Sequence, residues 1–175
     1  MTDDLPQLKT KRLWLRKIDQ NDSKAIRFLR SNKTVNHYVK RPETQTLQEA
    51  IDFIDKINNG INKQDWLFWG ISTIGNPELI GTICLWNFFD DRKVAEVGYD
   101  LHPKFQRQGI MNEALRCILN YGFETLNLDQ IEAYTHRENE SSKKLLIKNN
   151  FVLILDRKDN ENEDNIIFAV KNFSK

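Results

Sequence analysis

Long apolar runs are missing from this chain, and so is any excess of charge of one sign. No stretch approaches the roughly 20 apolar residues that span a bilayer, so no membrane partner is expected. Lys and Arg total 26 against 25 Asp and Glu, a formal net charge of +1. Nucleic-acid binding rests on a basic excess or stripe, and this balance excludes it as the leading function. Cysteine is scarce: Cys84 and Cys117 are the only two. They lie far apart among apolar neighbours, in no metal or redox spacing, and read as reduced thiols of a cytoplasmic protein, a single reactive thiol being the alternative. The opening "MTDDLPQLK" lacks the basic and apolar regions of a secretory signal. His37, His102 and His136 are scattered and form no ligand pattern, so no metal is expected. There is no internal repeat, linker or low-complexity segment. What remains is ordinary: 175 residues, 39% hydrophobic and 29% charged, which reads as one globular domain over 1–175.

The apolar residues set the element order. Leu13 and Leu15 alternate with Trp14 and Arg16, predicting a strand over 11–18. "SKAIRFLRS" places Ala25, Ile26 and Leu29 on one helical face behind a cap at Asn21 or Asp22. Leu47, Ala50, Ile51, Ile54 and Ile57 predict a second helix over 46–58, ended by "NNGIN". "DWLFWGISTI" and "LIGTICLWNFF", joined by "GNPE", predict a hairpin. A third strand follows over 93–101, where Gly98 marks a bulge or a close backbone approach. After Pro103 the period changes to 3.6: Ile110, Ala114, Leu115, Ile118 and Leu119 give a helix ending near Gly122. "QIEAYTH" is a strand, "NESSKKLLIKN" a helix capped by Asn139, and "FVLILD" with "NIIFAVKNF" a closing hairpin around an acidic turn. The order β-α-α-β-β-β-α-β-α-β-β predicts one mixed α/β (α+β) domain, with a central twisted mixed sheet of about seven strands and about four helices.

"HPKFQRQGIMNEALRCILNYGF" puts a single glycine, Gly109, where a loop becomes a helix. A turn can need a residue without a side chain; alternatively, bare amides at a helix start can hold an anion. A helix N-terminus exposes unpaired N–H groups and carries about half a positive charge, which suits phosphate. Lys104 and Arg107 add positive charge. The spacing is neither a Walker loop nor G-x-G-x-x-G, so a phosphorylated ligand is expected that is not bound in either of those ways.

These residues resemble the donor loop of the GNAT superfamily of acyl-CoA-dependent N-acetyltransferases, Gln/Arg-x-x-Gly-x-Gly/Ala. Gln106, Gly109 and Met111 sit on that pattern, Met111 in place of the small residue. More narrowly the chain is similar to the RimJ/RimL-type branch, which acetylates ribosomal-protein N-termini. Thr10, Arg12, Leu13, Leu15 and Arg16 match its opening Thr-x-Arg-Leu-x-Leu-Arg; Glu96, Gly98 and Tyr99 match Glu-x-Gly-Tyr; Glu113 and Ala114 match Glu-Ala; Asn139 and Ser142 match Asn-x-x-Ser. The resemblance covers nearly the whole chain. It departs at Asn150, where the branch has glycine before Phe151, and at Leu146, where many of these enzymes carry a tyrosine acid.

The resemblance implies the GNAT fold, acetyl-CoA as co-substrate and direct transfer to a primary amine through a ternary complex. Glu96 is implied as the general base and Ser142 as the acid for the thiolate. The donor would lie against Leu101, Gln106, Arg107, Gln108, Gly109, Ile110, Met111, Asn112, Asn139 and Ser142, with strand backbone near Leu101 bonding its amides. Each residue has a structural alternative: Glu96 as a surface carboxylate, Asn139 as a helix cap alone, Ser142 as a first-turn hydroxyl. His37, Tyr38, Trp66, Trp69 and Trp86 are candidates for the acceptor pocket, although strand aromatics more often fill cores. The acidic turn 159–164 could attract a cationic N-terminus. The leading acceptor is a protein N-terminal α-amine. Alternatives are a small amine (a polyamine, aminoglycoside or amino acid) or a non-catalytic acyl-CoA-binding module. A phosphate-binding Rossmann oxidoreductase is disfavoured by the antiparallel hairpins before the loop. A monomer and a homodimer are both open.

Overall fold

A computed structural model describes residues 5–89 and 91–172. The opening residues 1–4 and position 173 of the expected closing strand lie outside the described residues. Eight strands and four α-helices are present among them: β1 (Leu8–Lys9), β2 (Leu13–Arg16), α1 (Ser23–Ser31), α2 (Leu47–Asn62), β3 (Leu67–Thr73), β4 (Asn76–Trp86), β5 (Val94–Leu101), α3 (Ile110–Asn120), β6 (Gln130–His136), α4 (Glu140–Lys148), β7 (Val152–Ile154) and β8 (Asn165–Lys171). They form one mixed sheet in the order β1-β2-β3-β4-β5-β6-β8-β7. Every neighbouring pair is antiparallel except β5 with β6.

The registers sort the strand residues onto two faces. Leu13, Leu15, Trp69, Ile71, Ile83, Leu85, Ala95, Val97, Ile131, Ala133, Phe168 and Val170 share one face and are buried. The helices α3 and α4 cover it: Tyr121, just past α3, meets the Trp69 ring edge-on at 5.6 Å, and Ser142 of α4 meets Tyr99 of β5. Each large apolar side chain so buried contributes about 1.5–3 kcal/mol. The other face carries Phe68, Cys84, Trp86, Glu96, Asp100 and Glu132. There α2 packs through Phe53 on Phe68, and Arg41 of the α1–α2 connection pairs with Asp100 at 3.0 Å.

Local chemistry explains where the elements differ from expectation. The strand expected over 11–18 is shorter, because Leu13 N donates to Thr10 Oγ1 and Thr10 N to Leu13 O. That tight turn creates β1, the eighth strand. Neither Asn21 nor Asp22 caps α1 by its side chain. Asp22 is claimed by the Arg16 fork (2.8 and 2.8 Å) and by Asp19 N, while Asp19 caps a short 3-10 turn over Gln20–Asp22. Thr46 and Glu49 form a capping box for α2. Asn139 caps α4 by accepting from Ser142 N. The β4–β5 ladder is unbroken at Gly98, so its glycine answers to close approach: a Cβ would stand 3.2 Å from Cys84 Sγ. Asn150 takes the left-handed conformation (φ 64°) that its glycine-like position requires.

"NNGIN" does not end α2, which runs on through Gly60 to Asn62. Gly60 is there for packing: its missing Cβ would overlap the Trp66 ring at 2.0 Å, and Trp66 Nε1 donates to Ile57 O at 2.9 Å. Alanine improves helix propensity by about 1 kcal/mol, but it must displace this ring and its bond. Gly60→Ala is therefore expected to lower stability by about 1–3 kcal/mol, read as a fall in denaturation midpoint. A gain in stability would show that Trp66 moves aside freely.

Candidate active site

Gly109 has φ +73°, a left-handed turn that enters α3. A Cβ there would meet Arg12 Nη2 at 3.4 Å, an ordinary contact, so backbone conformation rather than crowding calls for glycine. The first amide of α3 with an acceptor is that of Glu113, which donates to Gly109 O at 3.0 Å. Ile110, Met111 and Asn112 thus present the open N–H groups of a helix start. Ile110 and Met111 bury their side chains, leaving backbone as their contribution. Other expected contacts are engaged in shaping the loop. Gln106 Nε2 donates to Leu101 O at 3.1 Å, and Gln108 Nε2 to Lys104 O at 2.7 Å. Asn112 Oδ1 accepts from Asn149. Lys104 and Arg107 are exposed.

A bridge from the far edge of the sheet holds this turn. Glu113 accepts from Thr10 Oγ1 (2.5 Å), Arg12 N (2.9 Å) and Arg12 Nε (2.6 Å), while Arg12 Nη1 donates to Gln108 O (3.0 Å). Partial burial pushes the Glu113 carboxyl up. The bonds from Thr10 and Arg12 outweigh it and hold the group below its usual 4.5.

Pairing of β5 with β6 covers Val94, Ala95 and Glu96 against Gln130, Ile131 and Glu132, and stops there. Both strands continue, to Leu101 and His136, so the sheet parts immediately after Glu96. Burial raises the Glu96 carboxyl, a bond from Asn87 Nδ2 at 3.4 Å opposes this, and Asp159, Glu132 and Glu161 add to the rise. The group is pushed up to about 7. A carboxylate titrating near neutrality can accept and release protons under working conditions.

Tyr99, beyond the parting on the α3–α4 face, shares a 2.8 Å hydrogen bond with Ser142 Oγ. Burial lifts the Tyr99 hydroxyl to about 12, the bond to Ser142 opposing it, so it stays protonated. Ser142 is buried in the first turn of α4 and Asn139 is spent on its amide. Leu146 is fully buried, in agreement with the loss of a tyrosine acid there. Glu96 and the Ser142–Tyr99 pair thus stand on opposite faces of the sheet, near the same parting.

The acceptor candidates divide. Trp69 is fully buried on the α3 face, its Nε1 donating to Pro6 O, so it belongs to the core and is removed from the acceptor set. Trp66 closes the end of α2 and is removed as well. Trp86 is 41% exposed and is the register partner of Glu96 on the same face. His37 meets Tyr38 edge-on at 4.5 Å, and Tyr38 meets His136 of β6 at 5.0 Å, again on the Glu96 face. Across this face runs the β7–β8 connection, tied by Lys40 to Asn162 (2.9 Å) and Asp164 (3.4 Å). Among the described residues no group of His, Cys, Asp and Glu is placed to hold a metal, and no helix is long and apolar enough to cross a membrane.

A family model described as "Acetyltransferase (GNAT) domain" matches residues 12–152. The chain belongs to the GNAT family. It is an N-acetyltransferase, and acetyl-CoA is the donor this family uses. It is 34% identical to the uncharacterised N-acetyltransferase YoaA of Bacillus subtilis over 83% of this chain and 82% of that one. Two solved structures share the fold. One is a ribosomal-protein-S5-alanine acetyltransferase from Vibrio fischeri (TM-score 0.82, 20% identity, 96% of this chain and 97% of that one). The other is RimL, a ribosomal L7/L12 alpha-N-protein acetyltransferase in complex with coenzyme A (TM-score 0.81, 20% identity, 95% and 98%).

Within this GNAT domain the structure adds residues that the sequence reading missed. Glu132 carried a signal, the one carboxylate of β6, set between the apolar Ile131 and Ala133. Arg157 and Arg41, both in connections, carried none. Glu113, read only as part of a motif, is the clamp of the donor loop. Its lowered carboxyl contributes stability that is present above the ordinary carboxylate value and lost as pH falls through its folded value. Glu113→Gln is accordingly expected to lower stability by about 1–2 kcal/mol at pH 7, a difference that shrinks in acid. A difference unchanged between pH 7 and pH 3 in denaturant titrations would show that charge plays no part in the clamp.

Proposed function

We propose that this enzyme acetylates a protein N-terminal α-amine of the ribosomal-protein type, by direct transfer in a ternary complex, with Glu96 as general base. Bound acetyl-CoA supplies the thioester; the parted strands and the turn from Arg107 to Asn112, with the open amides of Ile110, Met111 and Asn112, fit a donor with a pyrophosphate and an amide-bearing arm. Glu96 takes the ammonium proton from the acceptor on its own face of the sheet, directly or through water. Ser142, hydrogen-bonded to Tyr99, donates a proton toward the sulfur from the other. The observation that carries the reading is the placement of Glu96 as the last β5 residue paired with β6, where the strands part, with burial raising its carboxyl to about 7. An α-amine, near 8, stands closer to that range than a lysine-like alkylamine near 10.4. The names of two structural neighbours, both ribosomal-protein acetyltransferases, support the same acceptor class. Asp159 and Glu161, beside Glu96, would equally suit a second ammonium, which keeps a polyamine as the alternative.

Purified protein with acetyl-CoA, tested against N-terminal peptides, polyamines, aminoglycosides and amino acids by thiol release, separates the acceptors. Peptides should exceed the small amines by at least about tenfold in kcat/KM, about 1.4 kcal/mol of transition-state preference; preference for a polyamine would replace the peptide reading. On the best acceptor, Glu96→Gln should lower turnover by roughly 10²–10⁴-fold and abolish the acidic limb of the rate–pH profile. In the native enzyme that limb falls as pH drops through about 7, because the protonated carboxyl no longer accepts a proton. A mutant with near-normal rate and profile would return deprotonation to water or another group.

For the acid, Ser142→Ala and Tyr99→Phe should each reduce turnover by about 10–10²-fold, at the low end of acid–base effects. Because the two hydroxyls share one bond, the double variant should be no slower than the worse single one. The loss should also shrink with a donor whose thiol is more acidic. Additive losses, or equal losses with both donors, would place the acid elsewhere.

A further inference from the structure

Glu132 lies beside Glu96 in the parallel register of β5 with β6, on the same face, with its side chain 2% exposed. Adjacent strands are about 4.8 Å apart, so two carboxylates share one neighbourhood, and something must compensate the inner one. Arg157 does so from the β7–β8 connection. Its Nη1 donates to Glu132 Oε1 at 2.6 Å, its Nη2 to Glu132 Oε2 at 2.9 Å, and Nη2 also to Tyr134 Oη at 2.9 Å. Gln130 Nε2 completes the shell of Glu132 at 2.7 Å. A two-point guanidinium–carboxylate fork fixes direction as well as charge.

That fork sits two and four residues before Asp159 and Glu161, the two anions of the connection that act on Glu96. The turn between them is internally braced: Asp159 accepts from Glu161 N at 2.9 Å and from Asn165 Nδ2 at 2.8 Å. Its far end is held by Lys40, and by Arg137, which donates to the carbonyls of Glu163 and Asp164. The groups around Glu96 are therefore Trp86, Cys84 and Asn87 from β4 and the turn after it, Glu132 and Tyr134 from β6, and Arg157, Asp159 and Glu161 from the β7–β8 connection. Further along the same face lie His136 of β6 with Tyr38 against it, Asp100 of β5 paired with Arg41, and Lys40, whose ammonium is taken by Asn162 and Asp164.

We propose that Arg157 is a positioning residue for the base. By forking onto Glu132 and Tyr134 it seats the β7–β8 turn, with Asp159 and Glu161, beside Glu96. The inference rests on Glu96 as the base, but it concerns the protonation of Glu96 and is testable without turnover. Without the fork the β7–β8 turn loses its anchor on β6, withdraws Asp159 and Glu161 from Glu96 and lets water reach the site. Both changes lower the proton affinity of Glu96. Loss of the guanidinium charge itself acts in the opposite direction, so a lysine at this position reads the loss of the fork alone.

The test is a carboxyl-carbon NMR titration of the full-length protein labelled at glutamate side chains, with the Glu96 signal assigned by its loss in Glu96→Gln. The native signal should titrate near 7, and in Arg157→Lys, which keeps the charge and loses the fork, its midpoint should fall by about 1 pH unit, the size of shift that neighbouring charges and desolvation impose. Arg157→Gln, which also removes the positive charge, should fall by less. If Arg157→Gln does not fold, the lysine variant carries the test by the sign of its shift. Asp159→Asn combined with Glu161→Gln should move the midpoint the same way. A Glu96 midpoint that stays put in the arginine variants, whatever happens to stability, would reduce Arg157 to a structural ion pair. A midpoint that stays put in the double variant would remove the turn from the mechanism. Either result stands apart from the base assignment, which fails instead if Glu96→Gln keeps its acidic limb.

Discussion

The short parallel contact between β5 and β6 is the constraint on which the site depends. Three residues of each strand pair, and then the strands part while both continue. Parallel neighbours require a crossover, and here it is supplied by the donor-loop turn and α3, so the helix start at Gly109 and the parting of the sheet belong to one βαβ unit. The last paired residue of β5 is Glu96. Strand alternation then sends Glu96 to the α1–α2 face and Tyr99 to the α3–α4 face. A base and a hydroxyl pair thereby flank one opening from opposite sides, without any loop having to carry them.

Three ion-pair systems brace the walls of that opening. Glu113 ties the Thr10–Arg12 turn to the first turn of α3. Arg41 fixes the α1–α2 connection to Asp100, which also accepts from Thr82 Oγ1 at 2.7 Å. Arg157 secures the β7–β8 connection to Glu132. Each joins an irregular segment to a strand or helix of the βαβ unit. Exposed pairs contribute little to stability, but carboxylates that are themselves buried gain more from a forked partner, and their value here is in placement. The raised Glu96 has the opposite sign. A carboxyl moved from 4.5 to about 7 opposes folding by about 3 kcal/mol once it is ionised. The large apolar core behind β5 offsets this.

Much of the architecture was legible in residue patterns. Alternation and the 3.6-residue period placed the main strands and helices, and the capping chemistry of Asn139 marked a helix start that the structure keeps. The helix end at "NNGIN" was misread because glycine was taken as a stop, whereas Gly60 is a contact site for Trp66, six residues away. Trp69 was a pocket candidate with the core as its alternative; alternation sets it opposite Phe68, and the registers through β4 put it on the face away from Glu96. Asp22 looked like a cap because its ion-pair partner, Arg16, was invisible from local sequence.

The sequence by itself determined the main elements, the glycine where a loop becomes α3, the charge balance that argues against nucleic acid, and the motif that pointed to acyl transfer. These follow from interactions within a turn or a strand period, which neighbouring residues settle. Only the tertiary structure decided that Glu96 stands at the parting, that Glu132 stands beside it, and that Arg157 and the acidic turn close over both. The physical reason is that a carboxyl's proton affinity depends on burial and on charges a few ångströms away. Those charges come here from residues 36 to 65 positions distant in the chain, Glu132 being the nearest and Glu161 the farthest.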